Sequence, residues 1–127
     1  MPNVEQLKAQ LTKFCHMCHA DEVVLFEHAT FLVISSAETD DESRRHTDVH
    51  RYEKMSNIIK QFKLACSRSQ SNFHSMEIRN KNFSAFIDVF TPNTYIMVVT
   101  SDSRIQSAAM NMNIAAARTL FEKYINT

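Results

Sequence analysis

Cys15-His16-Met17-Cys18-His19 sets two thiols three residues apart with a histidine directly after the second. That is the C-x-x-C-H pattern of c-type haem attachment, in which the thiols form thioethers and the imidazole binds the iron. The chemistry needs export to an oxidising compartment and a second axial ligand, and the chain shows no export signal. A structural zinc site takes four ligands in two pairs, whereas the third cysteine, Cys66, stands alone. Cys15 and Cys18 lie beside Phe14 in a helical pattern, which points to small buried hydrophobes in a reducing compartment. His46 and His50 are four apart, the spacing of a metal-binding helix face, but His46 precedes the residues that would cap that helix, so a solvated pair is expected. Asp88 interrupts an apolar strand and needs a partner or an upward-shifted pKa. His74 is a candidate partner if the turn at 80–82 has three residues. The pair lacks a nucleophile or a ligand companion, so a structural or interface role is expected.

The composition narrows the classes further. Fourteen basic residues cancel fourteen acidic ones, leaving no broad positive field for a phosphate backbone, so no nucleic-acid partner is expected. Glycine is absent from all 127 residues. Walker A and Rossmann loops need glycine for close backbone approach to phosphate, so neither is encoded in this chain. Seven methionines and nine phenylalanines suit a pliable, aromatic core. The length suits one domain over 1–127. Apolar runs such as 95–99 are strand-sized, and no leader is seen, so a cytoplasmic protein without direct membrane insertion is expected.

These residues must be positioned by eight elements. Val4, Leu7, Leu11, Phe14 and Cys18 recur every three or four residues, predicting a helix over 4–19. "EVVLFE" and "TFLVISS" predict a hairpin joined by His28-Ala29, and 37–46 reads as an exposed polar loop. Val49, Tyr52, Met55, Ile59, Phe62 and Cys66, widened by Ile58 and Ala65, predict a second helix capped by Thr47 or Asp48. Strands follow around 75–79, in "FSAFIDVF" and in "TYIMVVTS". Pro92 in "TPNT" favours a loop of three or four residues. With four, Asp88 faces Met97 and Phe86 faces Val99, while three shift the register by one. Both faces of these strands are apolar, which requires cover on both sides. Ser107 starts a last helix, with Ala108, Ala109, Met112, Ala116, Leu120 and Tyr124 on one side and Met110, Ile114, Ala117 and Phe121 close by.

The predicted order is α-β-β-α-β-β-β-α, an α+β sandwich of three helices on a five-stranded antiparallel sheet. The third strand is a candidate edge, able to pair with another chain. Ser56, Asn57, Lys60 and Lys63 offer a polar rim beside the second helix's apolar stripe.

"RYEKMSNIIKQFKLACS" from Arg51 and "FHSMEIRNKNFSAFIDVFTPNTYIMVV" from Phe73 strongly resemble the C-terminal domain of Rag-family small GTPases, the RagA/RagB or fungal Gtr-type branch. The likeness extends from Pro2-Asn3 through "ADEVVLFEHATFLVIS" to "NIAAARTLFEKY", departing at "CHMCH", "AETDDESRRHTD" and "AAMNMN". It implies a roadblock (longin, profilin-like) fold and a heterodimer with a RagC/RagD-type domain. It also implies docking on the roadblock subunits of the Ragulator or EGO scaffold at the lysosomal or vacuolar surface, in amino-acid signalling to the TOR kinase complex. Roadblock pairs join third strands and pack second helices. By position this implies an interface of Ser75, Met76, Glu77, Ile78 and Arg79 with Tyr52, Met55, Ser56, Ile59, Lys60 and Lys63. GTP or GDP and magnesium would belong to an N-terminal GTPase domain outside this chain. For this domain the expectation is therefore no catalysis and no cofactor or metal; whether a homodimer substitutes for the natural pair when the domain is alone is left open by the sequence. The alternative is a sensor enclosing a small molecule between helix and sheet.

Overall fold

A computed structural model of the protein describes residues 4–39, 51–68, 75–79, 83–101 and 104–125, the side chains of 4, 51–56, 66, 68 and 122–125 excepted. The elements are α1 (Val4–Met17), β1 (Glu22–Glu27), β2 (Val33–Glu38), α2 (Arg51–Arg68), β3 (Ser75–Arg79), β4 (Ser84–Thr91), β5 (Thr94–Thr100) and α3 (Ser107–Ile125). The strands form one antiparallel sheet in the order β2-β1-β5-β4-β3. The expected α+β sandwich of three helices and five strands is the observed architecture.

Alternation along the central strands builds two cores. Val23, Leu25, Phe86, Phe90, Ile96 and Val98 face α1 and α3, meeting Leu7, Leu11, Phe14, Met110, Ile114 and Phe121. Val24, Phe26, Ala85, Ile87, Met97 and Val99 point the other way, onto Ile58 and Phe62 of α2. Each fully buried large side chain of this kind contributes roughly 1.5–3 kcal/mol of transfer free energy, so the three central strands carry most of the burial. That is why both of their faces read as apolar.

α1 stops two residues before the predicted end. His19 takes a positive φ of 53°, its N–H bonds the His16 carbonyl at 3.2 Å, and the Ala20 N–H bonds the Cys15 carbonyl at 3.0 Å. These are the two bonds of a Schellman cap, with histidine at the left-handed position glycine usually fills. The Thr100 hydroxyl donates to the His19 carbonyl at 3.2 Å, tying the cap to the end of β5.

The β1–β2 link is longer than His28-Ala29. The Glu27 carboxylate accepts from the Ala29 and Thr30 amides at 2.7 and 2.6 Å, and the Phe31 amide bonds the Glu27 carbonyl at 2.9 Å. Phe31, at φ 61°, turns its ring onto Phe26 and Tyr95. Local bonds and a half-buried ring thus occupy residues 28–32 and delay β2 to Val33.

At the β4–β5 turn the loop is shorter than either alternative, yet most of the ladder takes the register that three residues imply. Thr91 pairs with Thr94 and the ladder slips between Val89 and Thr91, absorbing Phe90 as the extra residue. The Thr91 and Thr94 hydroxyls bond at 2.7 Å, and the Thr91 amide donates to the Thr94 hydroxyl at 3.2 Å. The register becomes Phe86 with Val98, Ile87 with Met97 and Asp88 with Ile96. Asp88 therefore stays on the face of Phe86, the α1/α3 side of the sheet, and it is β5 whose two faces exchange relative to the four-residue reading.

On α3 the predicted stripes exchange roles. Met110, Ile114, Ala117 and Phe121 are buried, while Met112 is 73% and Leu120 47% exposed, and Ala108, Ala109 and Ala116 are exposed too. The Phe121 ring decides the rotation by meeting Phe14 and Phe90 edge-on, at centroid distances of 6.3 and 5.1 Å.

Candidate partner interface

β3 is an edge of the sheet: it pairs with β4 on one side, and no strand among the described residues pairs with the other. Its alternation divides the five candidate residues. Met76 and Ile78 are half-buried against the α2-side core, whereas Ser75, Glu77 and Arg79 are exposed and belong to the α1/α3 side.

The exposed set is partly engaged within the domain. Glu77 accepts hydrogen bonds from the Ser107 hydroxyl at the start of α3 and from Arg79 Nε. Arg79 also reaches the Ile105 carbonyl at 3.4 Å and lies over the Phe86 ring at 5.5 Å. The Ser107 hydroxyl first, and then Arg79, hold the Glu77 carboxyl below its ordinary value. Edge strand and α3 are thus stitched together through polar side chains that leave the outer ladder of β3 untouched.

α2 lies on the face shared with Met76 and Ile78. Ile58 and Phe62, four apart, are its buried line, and Ile59 is half-buried beside them. Lys60 and Lys63 are exposed; the Lys63 ammonium sits 5.6 Å from the centre of the Phe31 ring, over the β1–β5 side of the sheet. Structure thus brings Ile59, Met76 and Ile78 to one apolar core, and directs Lys63 away from β3. Tyr52, Met55 and Ser56 fall within α2, but their side chains lie outside the described residues.

The other singled-out residues have different positions. Cys15 and Cys18 are buried in the α1/α3-side core, the Cys15 thiol donates to the Ala20 carbonyl at 3.3 Å, and burial pushes the Cys18 thiol up to about 11. Their place in the core leaves no face for a haem edge, and they act as packed hydrophobes. His46, His50 and His74 and the Cys66 side chain lie outside the described residues. Ser75, not His74, stands opposite Asp88, because Arg79 pairs with Ser84 and the intervening loop spans four residues.

The group that meets Asp88 is Arg118 of α3, which sequence reasoning missed. Its Nη2 lies 3.8 Å from the Asp88 carboxylate, and it donates to the Val89 and Phe90 carbonyls at 2.6 and 2.9 Å. A lone arginine in the otherwise uncharged run 105–121 was the available signal. An open groove of about 700 Å³ adjoins this cluster, lined by Ser75, Asp88, Thr91, Asn111 and Arg118 among others. It opens to solvent and is not the enclosed helix–sheet cavity that the small-molecule alternative calls for.

Comparison with known proteins follows the same line. A family model described as the Gtr1/RagA G protein conserved region matches residues 1–59. The chain is 59% identical, over all 127 residues, to Ras-related GTP-binding protein A of Dictyostelium discoideum, of which it covers 41%. It is 57% identical over 97% of its length to Ras-related GTP-binding protein B of Rattus norvegicus, covering 32% of that protein. It is also 51% identical over 96% of its length to GTP-binding protein gtr1 of Schizosaccharomyces pombe, covering 39%. The chain therefore spans less than half of each of these relatives. Among solved structures, a Roadblock/LC7 domain from Streptomyces avermitilis superposes with a TM-score of 0.66 at 15% identity, covering 94% of this chain and 98% of that one. Myxococcus xanthus MglB gives 0.65 at 17% identity, covering 93% of each chain. At such identities the agreement is one of fold. Joined to the sequence identities, it makes this chain a domain of roadblock/LC7 fold homologous to Ras-related GTP-binding proteins A and B and to gtr1.

Proposed function

We propose that this domain is a non-catalytic pairing and scaffold-docking module of a Rag-type GTPase. It joins a RagC/RagD-type roadblock domain through β3 and α2, and the pair docks on the Ragulator or EGO scaffold at the lysosomal or vacuolar surface. Through that assembly it acts in amino-acid signalling to the TOR kinase complex, while nucleotide and magnesium are handled by a GTPase domain outside this chain. The observation that carries the reading is the edge position of β3, with Met76 and Ile78 half-buried beside α2. An edge ladder and adjoining apolar side chains are what a second domain of the same fold can complete.

The test is Ile78→Asp. In the monomer the new carboxylate keeps access to water at a half-buried edge, but pairing would bury it without a partner. Co-expression with a RagC/RagD-type domain should then lose the complex while the variant's circular dichroism stays native. Co-purification at the wild-type yield would rule out this interface.

A further inference from the structure

The five side chains of β3, Ser75 to Arg79, can be set against a second copy of themselves. Two identical edges join into one antiparallel sheet only about a two-fold axis normal to it, which keeps matching faces together. The strands oppose each other in full when residue 77 lies at that axis. Met76 then faces Ile78 of the copy, on the side where both are half-buried beside α2, and Ser75 faces Arg79. Neither pair resists joining. Glu77, however, faces Glu77 of the copy. Directly opposed residues have Cβ atoms about 4.5–5.5 Å apart, and like charges so placed destabilise a sheet. Sliding one copy by two residues, the smallest step that keeps the faces matched, leaves only 75–77 or 77–79 opposed. Nor does Glu77 turn away freely. Its carboxylate accepts from the Ser107 hydroxyl and Arg79 Nε, contacts that favour the ionised form. Arg79 offsets part of the charge from within its own domain: Nη2 reaches the Ile105 carbonyl and the Ser107 hydroxyl at 3.4 and 3.3 Å, over the Phe86 ring. Held there, it does not bridge two carboxylates at the axis.

We infer that Glu77 disfavours self-pairing through β3 and so selects a non-identical roadblock domain, one whose third strand sets an uncharged or basic residue opposite it. This rests on the pairing through β3 proposed above and names the residue that sorts partners there. The occupant of the edge is the β3-equivalent strand of that other domain, and charge complementarity selects it. An uncharged residue opposite leaves the Glu77 carboxylate with Ser107 and Arg79, and a basic one adds a favourable cross-strand pair. Met76 and Ile78 supply apolar contact that an identical edge would match equally well. The central carboxylate is what tells self from non-self, a repulsive element that sets specificity. Charges on open edge strands are a general means by which sheets avoid joining their own copies.

The test uses the full chain as wild type, Glu77→Gln, Ile78→Asp and the double variant. Sedimentation equilibrium measures self-association, isothermal titration calorimetry measures affinity for a RagC/RagD-type domain, and circular dichroism verifies folding. Glutamine keeps the shape of the side chain and an oxygen that accepts from Ser107. Glu77→Gln should strengthen self-association at least about threefold, as removal of one directly opposed pair of like charges does. Adding Ile78→Asp should cancel that gain. Affinity of Glu77→Gln for the RagC/RagD-type domain should stay within about twofold of wild type or fall, since no carboxylate faces Glu77 there. If Glu77→Gln self-associates no more than wild type while Ile78→Asp abolishes pairing with the RagC/RagD-type domain, the role of Glu77 is overturned and the β3 pairing stands. A variant that strengthens both pairings alike overturns it too, because Glu77 would then not discriminate. If Ile78→Asp has no effect on pairing with the RagC/RagD-type domain, the pairing through β3 falls and this inference falls with it.

Discussion

Arg118→Met removes a guanidinium while keeping an unbranched stem to cover the same apolar surface. Three contacts disappear: bonds to the Val89 and Phe90 carbonyls at 2.6 and 2.9 Å, and the 3.8 Å approach to Asp88. A buried hydrogen bond from a charged donor contributes about 1.5–3 kcal/mol. Here the Arg118 side chain is 35% exposed and that of Asp88 18%, so water can reach part of what the arginine leaves. Discounting accordingly, the expected loss is about 2–3 kcal/mol, which for a chain of this size lowers Tm by roughly 10 °C. The carbonyls belong to the strand segment where the β4–β5 register slips, so the local ladder should loosen as well. Urea unfolding followed by circular dichroism gives the free energy. Adding Asp88→Asn to Arg118→Met should recover part of the loss, since the variant no longer keeps a carboxylate beside an uncharged methionine on the face of Phe86 and Phe90. A loss below about 0.5 kcal/mol, the ordinary range for a surface change, would refute the view that Arg118 secures α3 to β4.

Two further outcomes check separate parts of the structure. Glu77 is held below its ordinary 4.5 chiefly by the Ser107 hydroxyl, so Ser107→Ala should raise its midpoint toward 4.5 in a carboxyl-carbon NMR titration. Because the folded value is the depressed one, the stabilisation is present above about pH 4.5 and fades as pH falls through the folded midpoint; an unmoved midpoint would disprove the Ser107 contact. Cys18, pushed up to about 11 by burial, and Cys15, also in the core, should resist a thiol reagent at pH 8 in a Cys66→Ser background and react only on unfolding. Labelling of the native protein at the rate of a simple thiol would contradict their packing.

Much of the candidate interface was legible before any coordinates. Met76 and Ile78 alternate with polar neighbours, the mark of a strand with one covered face, and the β3 edge was expected from its isolation from the first hairpin by a whole helix. What escaped was orientation. Tyr52, Met55, Ile59, Phe62 and Cys66 fit one helical stripe, yet Ile58 and Phe62 are the buried line where α2 is described, and Lys63 turns toward Phe31. A period of 3.6 defines an apolar sector but not which rim of it faces which strand.

Local interactions along the chain determined the element order, the absence of glycine-dependent phosphate loops and the need to cover the central strands on both sides. Each of these follows from composition or from repeats of two and about 3.6 residues, which need no knowledge of distant neighbours. Only the tertiary structure decided that Phe90 is the extra residue in β4, that Asp88 meets Arg118 and that Met110, Ile114 and Phe121 line the inside of α3. Those outcomes turn on one-residue register and on helix rotation, where alternatives of nearly equal local energy are separated by rings such as Phe14, Phe90 and Phe121 meeting across the core.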